Sequence, residues 1–572
     1  MMKKVLPIFV GCLLVHFAYS QTHYDFIGAG HLAGISVTTS DEASPERAGL
    51  KTIDGFPVED AVLLSDASRF LAQATLGYDY ETIQMAAAMG YEAWMDEQFT
   101  LPRTGGVGVL EEMMEALTEE EVFGSFLTRP GWWELVLKQP DALNQRVIHA
   151  FSQLFVISYL GNDIFEDNGN LIATYHELLG QHSFGNYREL LLGISRHLGM
   201  GLYLSHLNNP KSDPANNIHP DENYAREIMQ LFSIGLYELN NDGTRKLDAQ
   251  GQFIPTYNND DIREFAKVFT GLGDGQPGGQ WGSTEDIFQG GSLYPMAMYE
   301  EWHEPGPKYL LNGQVVPAGQ TGLQDVEAAI DNLHQHPNVG PFIGKALIQF
   351  LVSSNPSPAY VNRVATAFNS GGSQRGDFRA ILKAILLDEE ARVCQPTAQP
   401  QGGKLREPIV RYTNFLRAFN ARPELGFYLD EMYDWGSSTN QIPYFANSVF
   451  NFYQPEFQPN GPIADQDWVA PVFQIHNSST AIGYINQANL WTVSEAPQED
   501  GIVLLDYEDE LALSDQPSAL VDRLNILLAC GQLSPASRSI IVDAISQLGD
   551  PNERLNLALY LIQIAPEYAI LK

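Results

Sequence analysis

The alternation of apolar and polar positions in residues 219–239 predicts an amphipathic helix near the middle of the chain. Its apolar positions recur at helical spacing and are Tyr224, Ile228, Leu231 and Phe232. Pro220 suits the first turn, because its missing N–H needs no partner there, and Gly235 is a residue at which a helix can end. The sequence therefore predicts a helix that begins near Pro220 and ends near Gly235.

The opposite face of this predicted helix is polar. One i, i+4 row holds Glu222, Arg226 and Gln230, and the adjacent row holds Asn223 and Glu227. Such a face is either solvated, with an ordinary surface ion pair, or it forms a buried polar network or the wall of a ligand site. The pattern alone leaves both interpretations open.

Helical spacing recurs along most of the chain, and Gly or Pro ends many of the segments. We therefore predict a mainly α fold, a multi-helix array with a small β-hairpin insertion and long irregular loops. Predicted helices occupy residues 66–76, 80–89, 91–99, 109–122, 131–138, 140–160, 171–182, 187–206, 260–271, 323–335, 340–353, 358–369, 377–389, 407–419, 473–490, 516–531, 534–548 and 551–564.

Changes in composition and periodicity along the chain predict its division into segments and domains. Residues 1–20 are a signal peptide and 21–60 an extended lead-in. A main helical domain follows at 61–395 and contains a hairpin and loop insertion at 240–322, where Asn-Asp-Gly and Gly-Gln turns flank short β-prone runs. Residues 404–572 form a C-terminal helical part that packs on the first.

A charged bend lies within the long irregular segment 272–322. His303, Glu304 and Lys308 surround Pro305-Gly306-Pro307. The bend is either a turn stiffened by its prolines with its charges in water, or a lid or ligand clamp. The candidate ligand-binding or polar-network residues are Glu222, Asn223, Arg226, Glu227, His303 and Lys308.

Motifs for several well-known chemistries do not occur in the sequence. There is no Walker loop, dinucleotide glycine fingerprint, HExxH, cysteine quartet or G-x-S-x-G elbow. His149 lies in an apolar helix with no His or acid three or four residues later, so we interpret it as a buried histidine with hydrogen-bond partners. We predict no metal and no cofactor, and the catalytic residues are unknown.

Aromatic residues are concentrated in the Pro-interrupted segment 444–472. Their irregular spacing is typical of side chains that fill gaps in a core, and stacking on carbohydrate is the alternative. They include Phe445, Phe450, Phe452, Tyr453, Phe457 and Trp468.

The first twenty residues predict export. Lys3 and Lys4 precede an apolar run at 5–17, and a small-residue cleavage site ends at Ser20. No later segment reaches 18 unbroken apolar residues, so we predict no transmembrane span. We expect a secreted or periplasmic protein, and Cys12 leaves lipoprotein anchoring as the alternative.

The net charge limits the classes of partner, and the cysteine content limits the possible disulfides. The net charge is −37, and it becomes −39 when Lys3 and Lys4 are removed with the signal peptide. Nucleic acid is excluded as a partner, because phosphates need basic residues to neutralise them. Cys394 and Cys530 either form one disulfide or remain two buried thiols.

Seven strings in a fixed order carry a resemblance to a known family. They are residues 69–77 (RFLAQATLG), 90–99 (GYEAWMDEQF), 151–156 (FSQLFV), 221–227 (DENYARE), His303 with Gly306, Pro307 and Lys308, then 355–360 (NPSPAY) and 448–453 (SVFNFY). The chain resembles the large bacterial family called "domain of unknown function 1800". The resemblance implies an exported bacterial protein and no established activity. One branch of that family has a Trp-His-Asn-His-Phe string where this chain has residues 151–155, FSQLF, so a metal bound through those histidines is not expected here.

Two functions remain open at this stage, and whether the protein is an enzyme is uncertain. The first is an exported cell-envelope or extracellular binding or assembly protein, whose partner is a polysaccharide or another exported envelope protein. The alternative is an extracellular hydrolase or lyase that acts on polysaccharide through the Glu222, Arg226 and His303 cluster.

Overall fold

The structure is a computed structural model that describes residues 52–53, 56–116, 128–283, 293–393, 403–423, 426–428, 433–492 and 503–572. The predicted signal peptide, most of the lead-in at 21–60, and Cys394 lie outside these residues. Cys530 is buried and is a free thiol.

Helices make up most of the described chain, which confirms the predicted mainly α class. The first twelve are α1 (Val58–Ala74), α2 (Tyr80–Met89), α3 (Tyr91–Gln98), α4 (Gly106–Ala116), α5 (Thr128–Lys138), α6 (Ala142–Leu154), α7 (Ile164–Asp167), α8 (Asn170–His182), α9 (Tyr187–Arg196), α10 (Leu198–Tyr203), α11 (Asn223–Gln230) and α12 (Asn259–Val268). The remaining ones are α13 (Gly322–Gln335), α14 (Val339–Leu351), α15 (Pro358–Ser370), α16 (Phe378–Leu386), α17 (Glu389–Arg392), α18 (Pro408–Ala418), α19 (Tyr433–Thr439), α20 (Ser478–Thr492), α21 (Glu508–Ala512), α22 (Pro517–Ala529), α23 (Pro535–Ser546), α24 (Pro551–Gln563) and α25 (Pro566–Ala569).

The strands of the described chain are two residues long and pair antiparallel in twos. The pairs are β1 (Thr52–Ile53) with β2 (Phe56–Pro57), β3 (Leu272–Gly273) with β4 (Ala297–Met298), β5 (Lys308–Tyr309) with β6 (Val315–Val316), β7 (Lys404–Leu405) with β10 (Ile570–Leu571), and β8 (Arg422–Pro423) with β9 (Val503–Leu504). The hairpin predicted at the start of the 240–322 insertion is present as isolated antiparallel bridges, which join Leu239 to Arg245 and Leu247 to Phe253.

One large apolar core runs through the described chain from Ala61 to Leu571. Helix α1 packs on α22, and α18 packs on both α5 and α22, so N-terminal and C-terminal helices share that core. Helix α6 crosses it, and most of its polar side chains are buried, among them Arg146, His149 and Gln153. Because buried polar groups need partners, this helix requires a hydrogen-bond network around it.

The central helix α11 is shorter than the sequence pattern predicts. It begins at Asn223 and not near Pro220, because the Asp221 carboxylate accepts the Asn223 backbone N–H at 2.7 Å and holds the preceding residues in a turn. It also ends earlier than predicted, at Gln230 and not near Gly235, because the N–H groups of Phe232 and Ile234 donate to carbonyls five residues back, at 3.1 and 2.9 Å, and residues 231–234 form turns. Gly235 follows these turns with a φ of +70°.

Among the helices of the described residues, none is long and apolar enough to cross a membrane.

Candidate functional site

Some polar side chains of α11 and its N-cap are exposed to solvent, and others are buried. The side chains of Glu222 and Arg226 are each 40% exposed, and Arg226 Nη2 lies 3.4 Å from Glu222 Oε2. Arg263 Nε on α12 lies 3.7 Å from the other oxygen of the same carboxylate. Exposed pairs of this kind contribute about 0–1 kcal/mol to stability. This part of the face therefore matches the solvated interpretation.

Glu227 differs from the other side chains of this polar face because it is buried. Its Oε2 atom has no hydrogen-bond partner among the described residues. Burial raises the pKa of this carboxyl group, and the Arg226 charge opposes part of that rise. Asn223, one turn earlier, is exposed, and its side-chain amide donates to Ser205 Oγ at 3.4 Å.

The His303 bend forms a buried ionic network. His303 and Lys308 are 3% and 1% exposed, so the interpretation that places the bend's charges in water is wrong for these two residues. His303 Nδ1 donates to the Thr270 carbonyl at 2.8 Å, and Nε2 lies 3.0 Å from both Lys308 Nζ and Asp325 Oδ2. Lys308 also donates to Asp325.

Asp325 on α13 is the centre of this network. Burial alone would raise its pKa, but the hydrogen bonds from His303, Lys308 and Gln320 outweigh burial and hold the pKa below its ordinary value. The network joins the loop to α13, with its polar atoms directed at one another. The predicted role as a ligand clamp stays a prediction.

The two halves of the predicted site belong to separate contact networks. Both α11 and β5, which starts at Lys308, pack on α12. Among the described residues, no hydrogen bond or ion pair joins Glu222, Arg226 or Glu227 to His303 or Lys308. That all six candidates serve one ligand stays a prediction.

A concave site lies at the C-terminal end of α11. It is a pocket of about 450 Å³. Four parts of the chain surround it: residues 230–245 after α11, the helix α14, the aromatic segment 449–456, and a floor made by the end of α6 with β7. Gln230, the last member of the predicted polar row, is one of its lining residues.

The wall that follows α11 is held in place by one buried side chain. Asn338, 0% exposed, donates to the carbonyls of Ile234 and Tyr237 at 2.8 Å each, and accepts the Leu239 N–H at 2.9 Å. Gly235 adds a conformational requirement, because a Cβ there would lie 2.8 Å from the Phe342 ring. The wall is therefore fixed from behind by the start of α14.

One face of α14 forms the second wall. Its lining residues recur at i, i+3, i+4, i+7 and i+8 and are Phe342, Lys345, Ala346, Gln349 and Phe350. The opposite face, with Ile343 and Leu347, is buried in the core. Two different environments on one helix explain why α14 is apolar nearly all round and yet carries a lysine and a glutamine.

The floor of the pocket is a chain of buried hydrogen bonds. The side-chain Oε1 of Gln153 accepts from Asn451 Nδ2 and from the Tyr453 hydroxyl, both at 2.8 Å. His149 Nε2 lies 2.7 Å from Gln153 Nε2 and 3.2 Å from Glu407 Oε2. His149 is thus the buried, hydrogen-bonded histidine that the sequence predicts.

Glu407 is the buried anion behind this floor. It is 1% exposed, and Gln441 Nε2 donates to its Oε1 at 2.6 Å. Burial alone would raise the pKa of Glu407, but the charge and hydrogen bond of His149, with the charges of Lys404 and Arg146, hold it well below its ordinary value. The carboxylate therefore compensates cations that lie under the pocket.

Lys404 lines the floor from β7, whose pairing with Leu571 fixes its position. Its ammonium donates to the carbonyls of Gln349 and Phe350 at 3.0 and 2.6 Å. These are among the last carbonyls of α14, where a cation is favourable. Burial lowers the pKa of Lys404 to about 7, and Glu407 opposes the shift.

Several polar atoms around the pocket have no partner among the described residues. The Lys345 ammonium and the Gln454 side-chain amide make no hydrogen bond there, and Gln230 and Gln349 each use only one end of the amide. None of these atoms is among those fully shielded from solvent. They are consequently available to water or to a ligand, next to the exposed ring of Phe450, which is 41% exposed.

Sequence reasoning missed most of this site. Two signals were present. Lys345 and Gln349 are the only polar residues of α14 and lie four residues apart between Phe342 and Phe350, which places them on one face. Carbohydrate stacking is the alternative that the sequence offers for the aromatic segment 444–472, and Phe450 and Tyr453 of that segment line the pocket.

Among the described residues, no three His, Cys, Asp or Glu side chains are grouped closely enough to hold a metal ion.

Comparison with known proteins gives one match. A family model described as "Protein of unknown function (DUF1800)" matches residues 69–570, which confirms the resemblance carried by the seven strings. No curated protein and no solved structure matches the chain.

Proposed function

The chain belongs to the DUF1800 family, whose description gives no activity, and we propose from the chain's own geometry that it is an exported envelope or extracellular protein that binds a glycan. The binding site is the pocket formed by residues 230–245, α14, residues 449–456 and the floor at Gln153 and Lys404. One observation carries the proposal: a cavity of about 450 Å³ is lined jointly by aromatic rings and by amide groups with unused hydrogen-bonding capacity. Small-molecule sites have volumes of about 300–1,000 Å³ and combine an apolar lining with a few polar groups.

The chemistry of the lining favours a sugar over a purely apolar ligand. A sugar ring has an apolar face that stacks on an aromatic ring, and hydroxyls that both donate and accept hydrogen bonds. Amide side chains also donate and accept, so Gln230, Gln349 and Gln454 match the hydroxyls. Phe450 supplies the exposed ring. A concave site suits a glycan segment better than a second exported protein, whose interface would be broad and flatter.

The test of this proposal is Phe450→Ala. Removing a stacked ring costs about 1 kcal/mol of binding free energy, which is about fivefold in affinity. Because the ring is already exposed, the melting temperature stays within about 2 °C of wild type. Tyr309→Ala is the matched control, since Tyr309 is 56% exposed and does not line the pocket.

The measurement is a glycan array probed with the mature chain, followed by titration calorimetry on the glycans it retains. Retention that Phe450→Ala weakens and Tyr309→Ala preserves supports the pocket. Equal weakening by both variants, or a wild-type chain that retains no glycan, refutes the proposal.

A second candidate function, an extracellular hydrolase or lyase acting on polysaccharide, is supported by Glu227. A buried carboxyl group with a raised pKa and an unpaired oxygen suits a general acid. Glu227 lies one turn before Gln230, which lines the pocket. The exposed Glu222 and Arg226 and the internally paired His303 lack these properties.

The enzyme proposal is tested by Glu227→Gln. If Glu227 is the acid, polysaccharide incubated with wild type yields new reducing ends or unsaturated products, and the variant yields at least about a hundredfold less. Glycan binding persists in the variant. If wild type yields no product but still binds the glycan, the enzyme proposal is refuted and the binding function is supported.

A further inference from the structure

The charged residues that line the pocket are mostly basic, although the whole chain is strongly acidic. The protein has 70 acidic and 33 basic residues. The lining of the pocket instead has three basic residues, Arg245, Lys345 and Lys404, and one acidic residue, Glu456. A concentration of positive charge in the concavity of a strongly acidic protein raises the local concentration of anions there.

Two of the three cations are already compensated. Arg245 pairs with Glu456, with Nη2 at 2.9 Å from Oε1, and its guanidinium lies 5.0 Å from the ring centres of Tyr237 and Phe253. Lys404 donates to the carbonyls of Gln349 and Phe350, and its charge lies near that of Glu407. Neither of these cations needs a ligand.

Lys345 is different because nothing on the described chain pairs with it. It lies on the pocket face of α14, half-buried, between Phe342 and Gln349. Among the described residues it makes neither a hydrogen bond nor an ion pair, and burial lowers its pKa while Glu456 opposes that shift. An ammonium that has lost part of its hydration without a partner gains more from an anion than a fully hydrated one does.

We propose that the glycan bound in this pocket is acidic, bearing a carboxylate or a sulfate, and that Lys345 pairs with that group. The inference rests on the proposed glycan-binding function and names its substrate class. Neighbouring groups complete the site: the unpaired Gln454 amide can donate to the same anion, and the Phe450 ring is free to stack on the sugar. Glu456 is neutralised by Arg245 and therefore does not repel the ligand.

The test is titration calorimetry with matched pairs of trisaccharides. One arm uses trimers of galacturonate, glucuronate and mannuronate with the same trimers after reduction of each carboxylate to a hydroxymethyl group. The other arm uses a sulfated galactose trimer and its desulfated form. The acidic member of at least one pair binds wild type about tenfold more tightly than its neutral partner. The arm in which this preference appears identifies carboxylate or sulfate.

Three variants assign the preference to Lys345. Lys345→Met abolishes the preference by lowering the affinity for the acidic trimer to that for its neutral partner. Lys345→Arg keeps most of it, and Lys211→Met, which removes one positive charge outside the pocket lining, keeps all of it. Melting temperatures of the three variants show that each is folded.

The outcomes separate this inference from the function on which it rests. If neutral trimers bind as tightly as acidic ones, and Phe450→Ala weakens that binding, the proposal of an acidic ligand is refuted and the proposal of a glycan site is kept. An acidic preference that Lys345→Met does not change overturns the assignment to Lys345. Failure of every trimer and of the glycan array to bind wild type overturns both proposals.

Discussion

Glu407 gives the sharpest test of the buried network beneath the pocket. The substitution Glu407→Gln keeps the shape of the side chain and removes its charge. It leaves the Lys404 and Arg146 cations without the carboxylate that compensates them, and weakens the 3.2 Å contact to His149. Breaking a buried ion pair by removing one partner costs about 3–5 kcal/mol. Because glutamine can still accept the Gln441 hydrogen bond, we expect a loss of about 3 kcal/mol in unfolding free energy.

The assay is urea unfolding followed by circular dichroism, with Glu92→Gln as the control. Glu92 is 68% exposed and pairs with Lys383, so its loss costs at most about 1 kcal/mol. The pH dependence adds a second criterion. Glu407 has a folded-state pKa held below its unfolded value of about 4.3, so its contribution is present above that value and is lost as the pH falls through the folded pKa.

The difference between wild type and Glu407→Gln therefore shrinks as the pH is lowered from 6 towards 3. A difference no larger than that of Glu92→Gln at pH 7, or one that grows on acidification, would refute the reasoning.

Three further predictions concern positions that shape the core and the pocket wall. Burial raises the pKa of Asp141 to about 6, so its ionisation destabilises the folded state as the pH rises from about 4 through 6. Asp141→Asn should therefore increase the unfolding free energy at pH 7.5 by at most about 3 kcal/mol, which is measured as a higher melting temperature. The same substitution should give no gain at pH 4. Asn338→Ala removes three hydrogen bonds and should cost about 2–4 kcal/mol in urea unfolding while weakening glycan binding; an unchanged midpoint contradicts this. Gly235→Ala places a Cβ against Phe342 at positive φ and should cost about 1–2 kcal/mol, more than Gly251→Ala, which is also at positive φ but has open space around it.

Features set by neighbours in sequence could be predicted well. Apolar spacing gives the buried side of α11, because that pattern depends on residues within a few turns, whereas the predicted end at Gly235 lies five residues beyond the observed end at Gln230. The start of α11 was misplaced because the Asp221 side chain competes with the helix for the Asn223 N–H, and such side-chain turns overlap in sequence with helix caps.

Features set by distant neighbours could not be predicted. His149 contacts Gln153 on its own helix, but its acidic partner, Glu407, is 258 residues away. Lys308 finds Asp325 on a different element, which no local pattern indicates. The pocket is built from four segments that are far apart in the chain. The sequence shows the residue types of each segment, but it does not show that the segments meet.

Hydrogen–deuterium exchange of the full chain, with and without the tightest-binding trisaccharide, tests the location of the site most directly. Our account predicts slower exchange on ligand addition in residues 231–239, 339–351 and 449–456, with no change at 303–308. Protection confined to residues 222–227 and 303–308, with the pocket segments unchanged, would contradict it.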